Sequence, residues 1–323
     1  MNYLITGASG FIGKNIIEYI LSKEKYAKIV SIYRYRSKKI ENNRIISVNA
    51  DIRDLQSLEI GFKSTSPIDV VIHLASLVHN KSSDLSWENY KSINVCGSQN
   101  IFNLSLKYKV PLIIYLSSIS VYGGEFREAT EKSHVEGYNY YSKSKLMVED
   151  FGMELHRKEG LPLVIIRPAA VYGVFDQGNL YKLIKAMIKG WSFGVSQGEN
   201  LKSLCYIKNL LNFMEIIINN KDRTIGEIYN IADEKPYKYF EIINTIKKVY
   251  DLKTFDLKIP LLIKNLTQKF NLPGKEAIRV LCSDNSVSIQ KAQKDLGYMP
   301  IYNLEKGLIE SESWYLYDKV AKE

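Results

Sequence analysis

Three glycines spaced three apart, Gly7, Gly10 and Gly13, follow directly on a short apolar run, Asn2–Thr6, and open a stretch of helical periodicity, Phe11–Ser22. A chain that leaves a strand, turns on glycine and enters a helix presents the unpaired N–H groups and positive dipole end of that helix at the turn, where a phosphate binds. Gly7 then makes the tight turn, Gly10 lets backbone approach a pyrophosphate, and Gly13 permits close helix–strand packing. The loop places Gly7, Ser9, Gly10, Phe11, Ile12 and Gly13 around a dinucleotide. The spacing is Gly-x-x-Gly-x-x-Gly rather than the commoner Gly-x-Gly-x-x-Gly, with the same physical purpose.

The rest of the first half repeats the strand–helix rhythm of a parallel sheet. Strands are expected at Ile29–Tyr33, Ile45–Asn49, Val70–Leu74, Leu112–Ser117 and Leu163–Arg167, and helices at Asn94–Tyr108 and Tyr141–Lys158. Several strands are continuous Val/Ile/Leu runs, as when helices cover both sheet faces. Beyond Arg167-Pro168 the rhythm loosens. Helices are expected at Leu180–Lys189, Leu210–Asn219, Tyr239–Val249 and near Ser311–Val320, with a late strand at Glu227–Ile231. The expected fold class is α/β: a doubly wound parallel Rossmann sheet with a smaller mixed α/β substrate lobe in the C-terminal part. Residues 1–170 form the dinucleotide domain, the strand near 227–231 returns to its sheet, and 171–226 with 232–323 form the lobe.

With 323 residues, 46% of them hydrophobic, the chain buries a sizeable core without staples. Cys96, Cys205 and Cys282 are scattered and lack metal-ligand spacing, so they read as buried reduced thiols of a cytoplasmic protein, and no metal is expected. No secretory signal is visible and no apolar run approaches the ~20 residues of a membrane span. The net charge of +9 admits nucleic acid or a membrane surface, but the lysines are spread along the chain and no nucleic-acid motif appears. Neither nucleic acid nor integral membrane contact is expected. The basic segment 259–275, with its apolar interleaving, reads as a partly buried lobe helix rather than a membrane-surface element.

The motifs after the glycine loop come in a telling order. The Thr-Gly-x-x-Gly-x-x-Gly start resembles the cofactor loop of extended short-chain dehydrogenases/reductases of the epimerase/dehydratase type. Asp51-Ile52-Arg53-Asp54 resembles their acidic segment, whose first Asp binds the adenine. His73-Leu74-Ala75-Ser76 resembles the fourth-strand motif that passes under the ribose and nicotinamide. Asn94-Val95-Cys96-Gly97-Ser98-Gln99-Asn100 resembles the Asn-Val-x-Gly-x-x-Asn helix. The resemblance implies an NAD(P)-dependent enzyme acting on a nucleotide-diphospho-sugar, and a homodimer. It adds Asp51, Ile52, Leu74, Ala75, Ser76, Asn94, Ser117, Pro168 and Val171 to the cofactor contacts.

Moving a hydride between a sugar carbon and a nicotinamide requires a group that takes or gives the proton on that carbon's oxygen. Tyr141 and Lys145 lie i and i+4 on one helix face. A cation ~6 Å from a phenol at an effective dielectric of ~20 contributes about 3 kcal/mol, roughly two pKa units, which brings Tyr141 toward neutrality. Tyr-x-x-x-Lys alone says little, since it recurs at Tyr19/Lys23, Tyr181/Lys185 and elsewhere among 23 tyrosines. Context singles out Tyr141: it reads Tyr-x-x-Ser-Lys-Leu-x-x-Glu through Glu149, and it follows Ser117-Ser118-Ile119-Ser120-Val121-Tyr122-Gly123. By resemblance Ser118 is the third catalytic member and also touches substrate, and Lys145 holds the ribose.

The same resemblance places Asn179 and Leu180 at a substrate diphosphate, with Lys202 where relatives carry an Arg; Arg279 is a further candidate for a phosphate. Dehydratases carry acids immediately after the catalytic Ser or Thr; here stand Ile119 and Ser120, which argues against dehydration. Proteins like UDP-galactose 4-epimerase carry an Asn three residues after the strand Arg; here stands Ala170. A 4-keto reduction and a C4 epimerisation with tightly bound NAD remain, against a non-catalytic NAD(P)-binding sensor as the reading from another class. The second strand ends in Arg34, with Arg36, Lys38 and Lys39 behind it and no acid before Glu41. Arg34 is suited to a 2′-phosphate, so NADPH is favoured over NADH, and with it the reductase.

Overall fold

The computed structural model describes residues 1–34, 42–78, 86–195, 198–259 and 282–317. Two compact units divide the chain. The first holds Met1–Gly123, His134–Arg167 and Leu211–Tyr229; the second holds Gly124–Ser133, Pro168–Leu210 and Asn230–Glu323. This differs from the division expected from the rhythm of the chain in two places. A ten-residue excursion after Gly123 belongs to the second unit, and the apolar stretch from Leu211 packs with the first.

The strands of the large sheet are β1 (Asn2–Thr6), β2 (Lys28–Tyr33), β3 (Ile45–Asn49), β4 (Val70–His73), β5 (Ile113–Leu116), β7 (Leu163–Pro168) and β12 (Ile228–Ile231). Their order is β12-β7-β5-β4-β1-β2-β3, and the six from β7 to β3 pair in parallel. The order reverses between β1 and β4, the position where an open α/β sheet leaves a crevice beyond its strand ends. Leu4, Val30, Val71, Ile113 and Ile165 are almost wholly buried in one core cluster, which explains the uninterrupted aliphatic runs. The late strand joins the sheet as expected.

Helices α1 (Phe11–Lys23), α2 (Leu55–Ser64), α4 (Gly97–Lys107) and α5 (Tyr140–Glu159) follow the strands, with a short α3 (Trp87–Tyr90) running through a π-turn, Lys91–Cys96, into α4. The expected helix at Asn94–Tyr108 therefore starts earlier and returns to α pitch at Gly97; Cys96, expected to be buried like Cys205 and Cys282, is exposed at the end of the π-turn. Asn139 and Ser142 form a reciprocal capping box at the start of α5, and Gly160 ends it in the left-handed region at φ 71°. That cap fixes the helical turn that carries Tyr141.

The second unit is built from shorter pieces. β6 (Phe126–Ala129), β10 (Leu201–Lys202), β13 (Tyr237–Lys238) and β15 (Asn285–Val287) form a four-stranded sheet in the order β13-β10-β15-β6. Its pairs are of both senses, β10 antiparallel to β13 and parallel to β15, so the sheet is mixed. Two further pairs join β8 (Ala170–Tyr172) to β11 (Leu204–Tyr206) and β9 (Trp191–Val195) to β14 (Phe255–Ile259). The helices that follow α5 include α6 (Asn179–Ile188), α7 (Ile207–Asn219), α8 (Lys221–Thr224) and α9 (Tyr239–Tyr250). The expected helix near Ser311–Val320 is observed over Glu312–Tyr317; residues 318–320 lie outside the described residues, as does most of the segment 259–275.

Candidate active site

β1 delivers Thr6 to the turn, where Gly7 adopts φ 69°. A side chain at Gly7 would stand 2.8 Å from the Ala75 backbone nitrogen. At Gly13 a Cβ would overlap the Gly7 carbonyl and lie 2.7 Å from the Ala8 Cα. Both positions therefore demand glycine, one for conformation and one for close approach. Gly10 caps α1 without a side-chain bond, which leaves the first-turn N–H groups of the helix for a bound anion.

The loop after β4 is tied to this turn by a relay of side chains. Thr6 Oγ1 accepts from the Leu74 and Ala75 N–H groups, each at 3.2 Å, and lies 2.6 Å from His73 Nδ1. His73 Nε2 lies 2.8 Å from Ser98 Oγ, whose hydroxyl donates to the Asn94 carbonyl at 2.5 Å. These partners assign the tautomer: Thr6 donates to Nδ1, and Nε2–H donates to Ser98. Burial, and then the charge of Lys145, pull the His73 pKa down to about 3, so the ring stays neutral. His73 is thus a buttress, and its neighbours Leu74, Ala75 and Ser76 form the wall.

A cavity of about 470 Å³ opens beyond β1, β2 and β4. Gly7, Ser9, Gly10, Phe11, Ile12 and Gly13 line one side. Arg34, Asp51, Ile52, Leu74, Ala75 and Ser76 line the rest, with Tyr33, Val78, Ile93 and Leu116, which the sequence reasoning did not single out. Asp51 accepts from Arg53 Nε at 3.0 Å and from Arg53 Nη2 at 2.6 Å. That bond, with the fields of Arg53 and Arg34, outweighs partial burial and holds the Asp51 carboxyl below its usual range. Arg36, Lys38, Lys39 and Glu41 lie outside the described residues.

The Asn94–Asn100 motif acts from behind this wall. Asn94 is buried, donates to the Leu77 carbonyl at 3.0 Å and to Ser144 Oγ at 2.8 Å, and accepts from the Leu77 N–H at 2.7 Å. Asn100 donates to the Ile52 carbonyl at 3.0 Å, and a side chain at Gly97 would strike Ile52. Asn94, expected among the cofactor contacts, here latches the cavity wall to α5. Ser117, expected there too, places its hydroxyl on Glu149 instead.

Ser118, Tyr141 and Lys145 come together as expected. Ser118 caps the short 3-10 turn Ile119–Tyr122, accepting from the Ser120 N–H at 3.1 Å, and is hydrogen-bonded to the Tyr141 phenol. Lys145 is buried, and its Nζ donates to the Leu116 carbonyl at 2.7 Å. Leu116 also lines the cavity, so the group stands at its edge. The ammonium lies 5.8 Å from the Tyr141 ring centre and 4.8 Å from that of Tyr115. The distance to Tyr141 is as expected, but the effect is not. Burial pushes the Tyr141 phenol up to about 12 against the Ser118 hydrogen bond. Burial also pulls Lys145 down to about 7, opposed by the charge of Glu149. The expected two-unit lowering of Tyr141 is outweighed by the burial of the phenol. A bound oxidised nicotinamide would add a second positive charge beside this pair.

The remaining candidates belong to the second unit. Pro168 ends β7 and Val171 lies in β8. Asn179 and Leu180 open α6 behind Gly178. Lys202 is not the solvated surface lysine its composition permits: its Nζ donates to the Ser283 carbonyl and, at 3.0 Å, to Asn285 Oδ1. Arg279 lies outside the described residues. No group of three His, Cys, Asp or Glu able to hold a metal, and no helix long and apolar enough to cross a membrane, occurs among the described residues.

The sequence model of the NAD dependent epimerase/dehydratase family matches residues 3–232. The chain is 25% identical over 325 residues to the N-acetyl-alpha-D-glucosaminyl-diphospho-ditrans,octacis-undecaprenol 4-epimerase of Escherichia coli O157:H7, covering 95% of this chain and 93% of that protein. It is 27% identical over 361 residues to the dTDP-glucose 4,6-dehydratase of Haemophilus influenzae, covering 98% of each. The crystal structure of UDP-glucuronic acid 4-epimerase from Bacillus cereus, in complex with UDP-glucuronic acid and NAD, matches with a TM-score of 0.80 at 23% identity, over 98% of this chain and 99% of that one. That likeness shows the fold.

Proposed function

The chain belongs to the NAD dependent epimerase/dehydratase family, and from that premise we propose that it is a C4 epimerase of a nucleotide-diphospho-sugar with tightly held NAD. The observation that carries the reading is the Ser118–Tyr141–Lys145 group at the edge of a glycine-floored cavity, with Ile119 and Ser120 where a dehydratase needs acids. Gly7, Gly10 and Gly13 would hold the pyrophosphate of NAD, which would supply a hydride acceptor and donor for C4 of the sugar. Tyr141 is placed to accept the C4 hydroxyl proton and to give a proton back to the C4 oxygen. Ser118 holds that oxygen. Lys145 supplies positive charge next to the phenolate and reaches the ribose. Asn179, Leu180 and Lys202 are assigned to the diphosphate, and Pro168 and Val171 to the nicotinamide end.

The 4-keto reductase reading depended on Arg34 and the NADPH it favours. Asp51 shares the cavity with Arg34 and is held in its charged form. A 2′-phosphate brought to Arg34 therefore also meets a carboxylate, one already paired with Arg53, which offsets part of the advantage. Relatives that are 4-epimerases, one of them solved with NAD, support epimerisation over reduction.

Mass analysis of the co-purified cofactor, then incubation with UDP-, dTDP-, GDP- and CDP-sugars in D2O, tests the reading. Inversion at C4 without deuterium at C4 and without net cofactor consumption is the expected result. Stoichiometric use of NADPH on a 4-keto sugar would restore the reductase. Bound cofactor that no sugar reduces would favour the sensor.

A further inference from the structure

Lys145 is not the end of the catalytic group. One helical turn on, Glu149 is 2% exposed and makes every contact inward. Its carboxylate accepts from Ser117 Oγ and from two nitrogens of the Arg167 fork: Nε lies 3.0 Å from Oε1 and 3.1 Å from Oε2, and Nη2 also donates to Oε2. Arg167 then donates through Nη1 to the Tyr122 hydroxyl at 2.9 Å. Ser117 immediately precedes Ser118, and Tyr122 ends the turn that Ser118 caps. One carboxylate therefore holds both ends of the segment that presents the Ser118 hydroxyl. The same carboxylate is the anion that opposes the burial of Lys145.

We propose that Glu149, with Arg167 as its clamp, is the positioning residue of the catalytic group, fixing the Ser118 turn and supplying the counter-charge to Lys145. The groups facing Lys145 from its surroundings leave this task to Glu149. β4 brings His73, which is neutral. β5 brings the Leu116 carbonyl and the Tyr115 ring. β7 brings Arg167, a cation whose charge opposes that of Lys145 and is answered by the Glu149 pair. α5 itself contributes Tyr141, and the 3-10 turn contributes Ser118 and Tyr122. Burial works against the Arg167 charge too, but the hydrogen bonds and charge of Glu149 outweigh it and hold the guanidinium above its usual range. Removing the carboxylate charge would leave two buried cations with no counter-ion between them, and Lys145 is the one that loses its proton.

The test reads Lys145 directly. In protein labelled with 13C at lysine Cε, with the Lys145 resonance assigned by its loss in Lys145→Met, Glu149→Gln should move the titration midpoint of Lys145 down by at least about one pH unit. The limb on which turnover falls with rising pH should move the same way, so that turnover at pH 8 drops about tenfold while NADH affinity stays within about threefold. Glu149→Asp keeps the charge, sets it back by one methylene, and should recover most of both shifts. Unchanged Lys145 titration in Glu149→Gln overturns the proposal. So does a loss of turnover equal at every pH that Glu149→Asp does not relieve. If Glu149→Gln does not fold, Glu149→Leu combined with Arg167→Met decides: a Lys145 midpoint at or above that of wild type refutes the role, and a lower one supports it. The titration needs no sugar, so its outcome is independent of whether the 4-epimerase reading holds.

Discussion

Glu149 in the first unit and Asp233 in the second are both sealed from water, at 2% and 1% exposure, and the two carboxylates live in opposite surroundings. Glu149 faces a guanidinium. Asp233 accepts from four uncharged donors: the Tyr206 N–H at 2.8 Å, Asn209 Nδ2 at 2.8 Å, Tyr172 Oη at 3.1 Å and Tyr237 Oη at 3.2 Å. Without a cation, burial wins over those bonds and pushes the Asp233 carboxyl up to about 6. Asp176, also in the second unit, is likewise pushed up to about 6 by burial, against backbone hydrogen bonds and the charge of Lys182. A buried acid with a cationic partner can hold charge where a reaction needs it; a buried acid among phenols and amides knits a fold together and makes it sensitive to pH.

Breaking the ion pair should have the largest effect on stability. Arg167→Met leaves Glu149 buried without its partner, and urea unfolding should show a loss of about 3–5 kcal/mol. Glu149→Leu combined with Arg167→Met should recover much of that stability, since apolar replacement of both partners is close to neutral, yet turnover should stay low. A double variant as active as wild type would mean that the pair is structural only. Tyr141→Phe sharpens the contrast from the other side. It should cut turnover by at least ~10²-fold, about 2.7 kcal/mol of barrier, with cofactor affinity and unfolding midpoint near wild type. Wild-type turnover would take Tyr141 out of the mechanism.

The neutral-donor carboxylates predict a pH dependence of definite sign. Asp233 binds its proton more tightly folded, near 6, than its ordinary value of 3.8. Its contribution to stability is therefore complete below about pH 4 and is lost as pH rises through 6, at roughly 3 kcal/mol over that window. Asp233→Asn cannot ionise, and its amide can donate to the tyrosine oxygens where the acid accepted. Urea midpoints at pH 4.5 and pH 7 should therefore differ less in Asp233→Asn than in wild type. An equal or larger difference in the variant would show that Asp233 does not carry the charge cost assigned to it.

The same contrast explains what could be seen in the chain beforehand. The glycine loop, the Ser118 turn and the Tyr141/Lys145 spacing are short-range patterns whose geometry follows from one turn or one helix. The aliphatic runs of β1, β4, β5 and β7 were legible because each is buried on both faces. The role of Glu149 was not, although both it and Arg167 stood in recognised motifs, because their partnership joins a helix to a strand 18 residues later and leaves no periodicity. Asp233 was invisible for a related reason: its donors come from Tyr172, Tyr206, Asn209 and Tyr237, spread over 66 positions of chain. The second unit as a whole is built on strands of two to five residues, β10 and β13 having only two each, too few to show alternation. Asn94 illustrates a third case. The motif was recognised, but its side chain binds Leu77 and Ser144, so the signal marked the wall of the site rather than a surface of it.

The smallest expected effect places the same two charges in water. Arg34 and Asp51 feel each other across the rim of the cofactor cavity, and Arg34 is exposed, so solvent screens the pair as it cannot screen Glu149 and Arg167. Arg34→Asp should leave the unfolding midpoint unchanged. It should weaken NADPH by about tenfold or less, through loss of one cation and gain of a second acid, and change NADH by no more than about threefold. Wild type should already bind NADH at least as tightly as NADPH, because Asp51 answers the charge that a 2′-phosphate would otherwise find. Titrating both cofactors against both proteins at two salt concentrations decides the matter. A wild-type preference for NADPH that weakens with salt and reverses in Arg34→Asp would make Arg34 the dominant charge of the rim and bring net reduction back ahead of epimerisation.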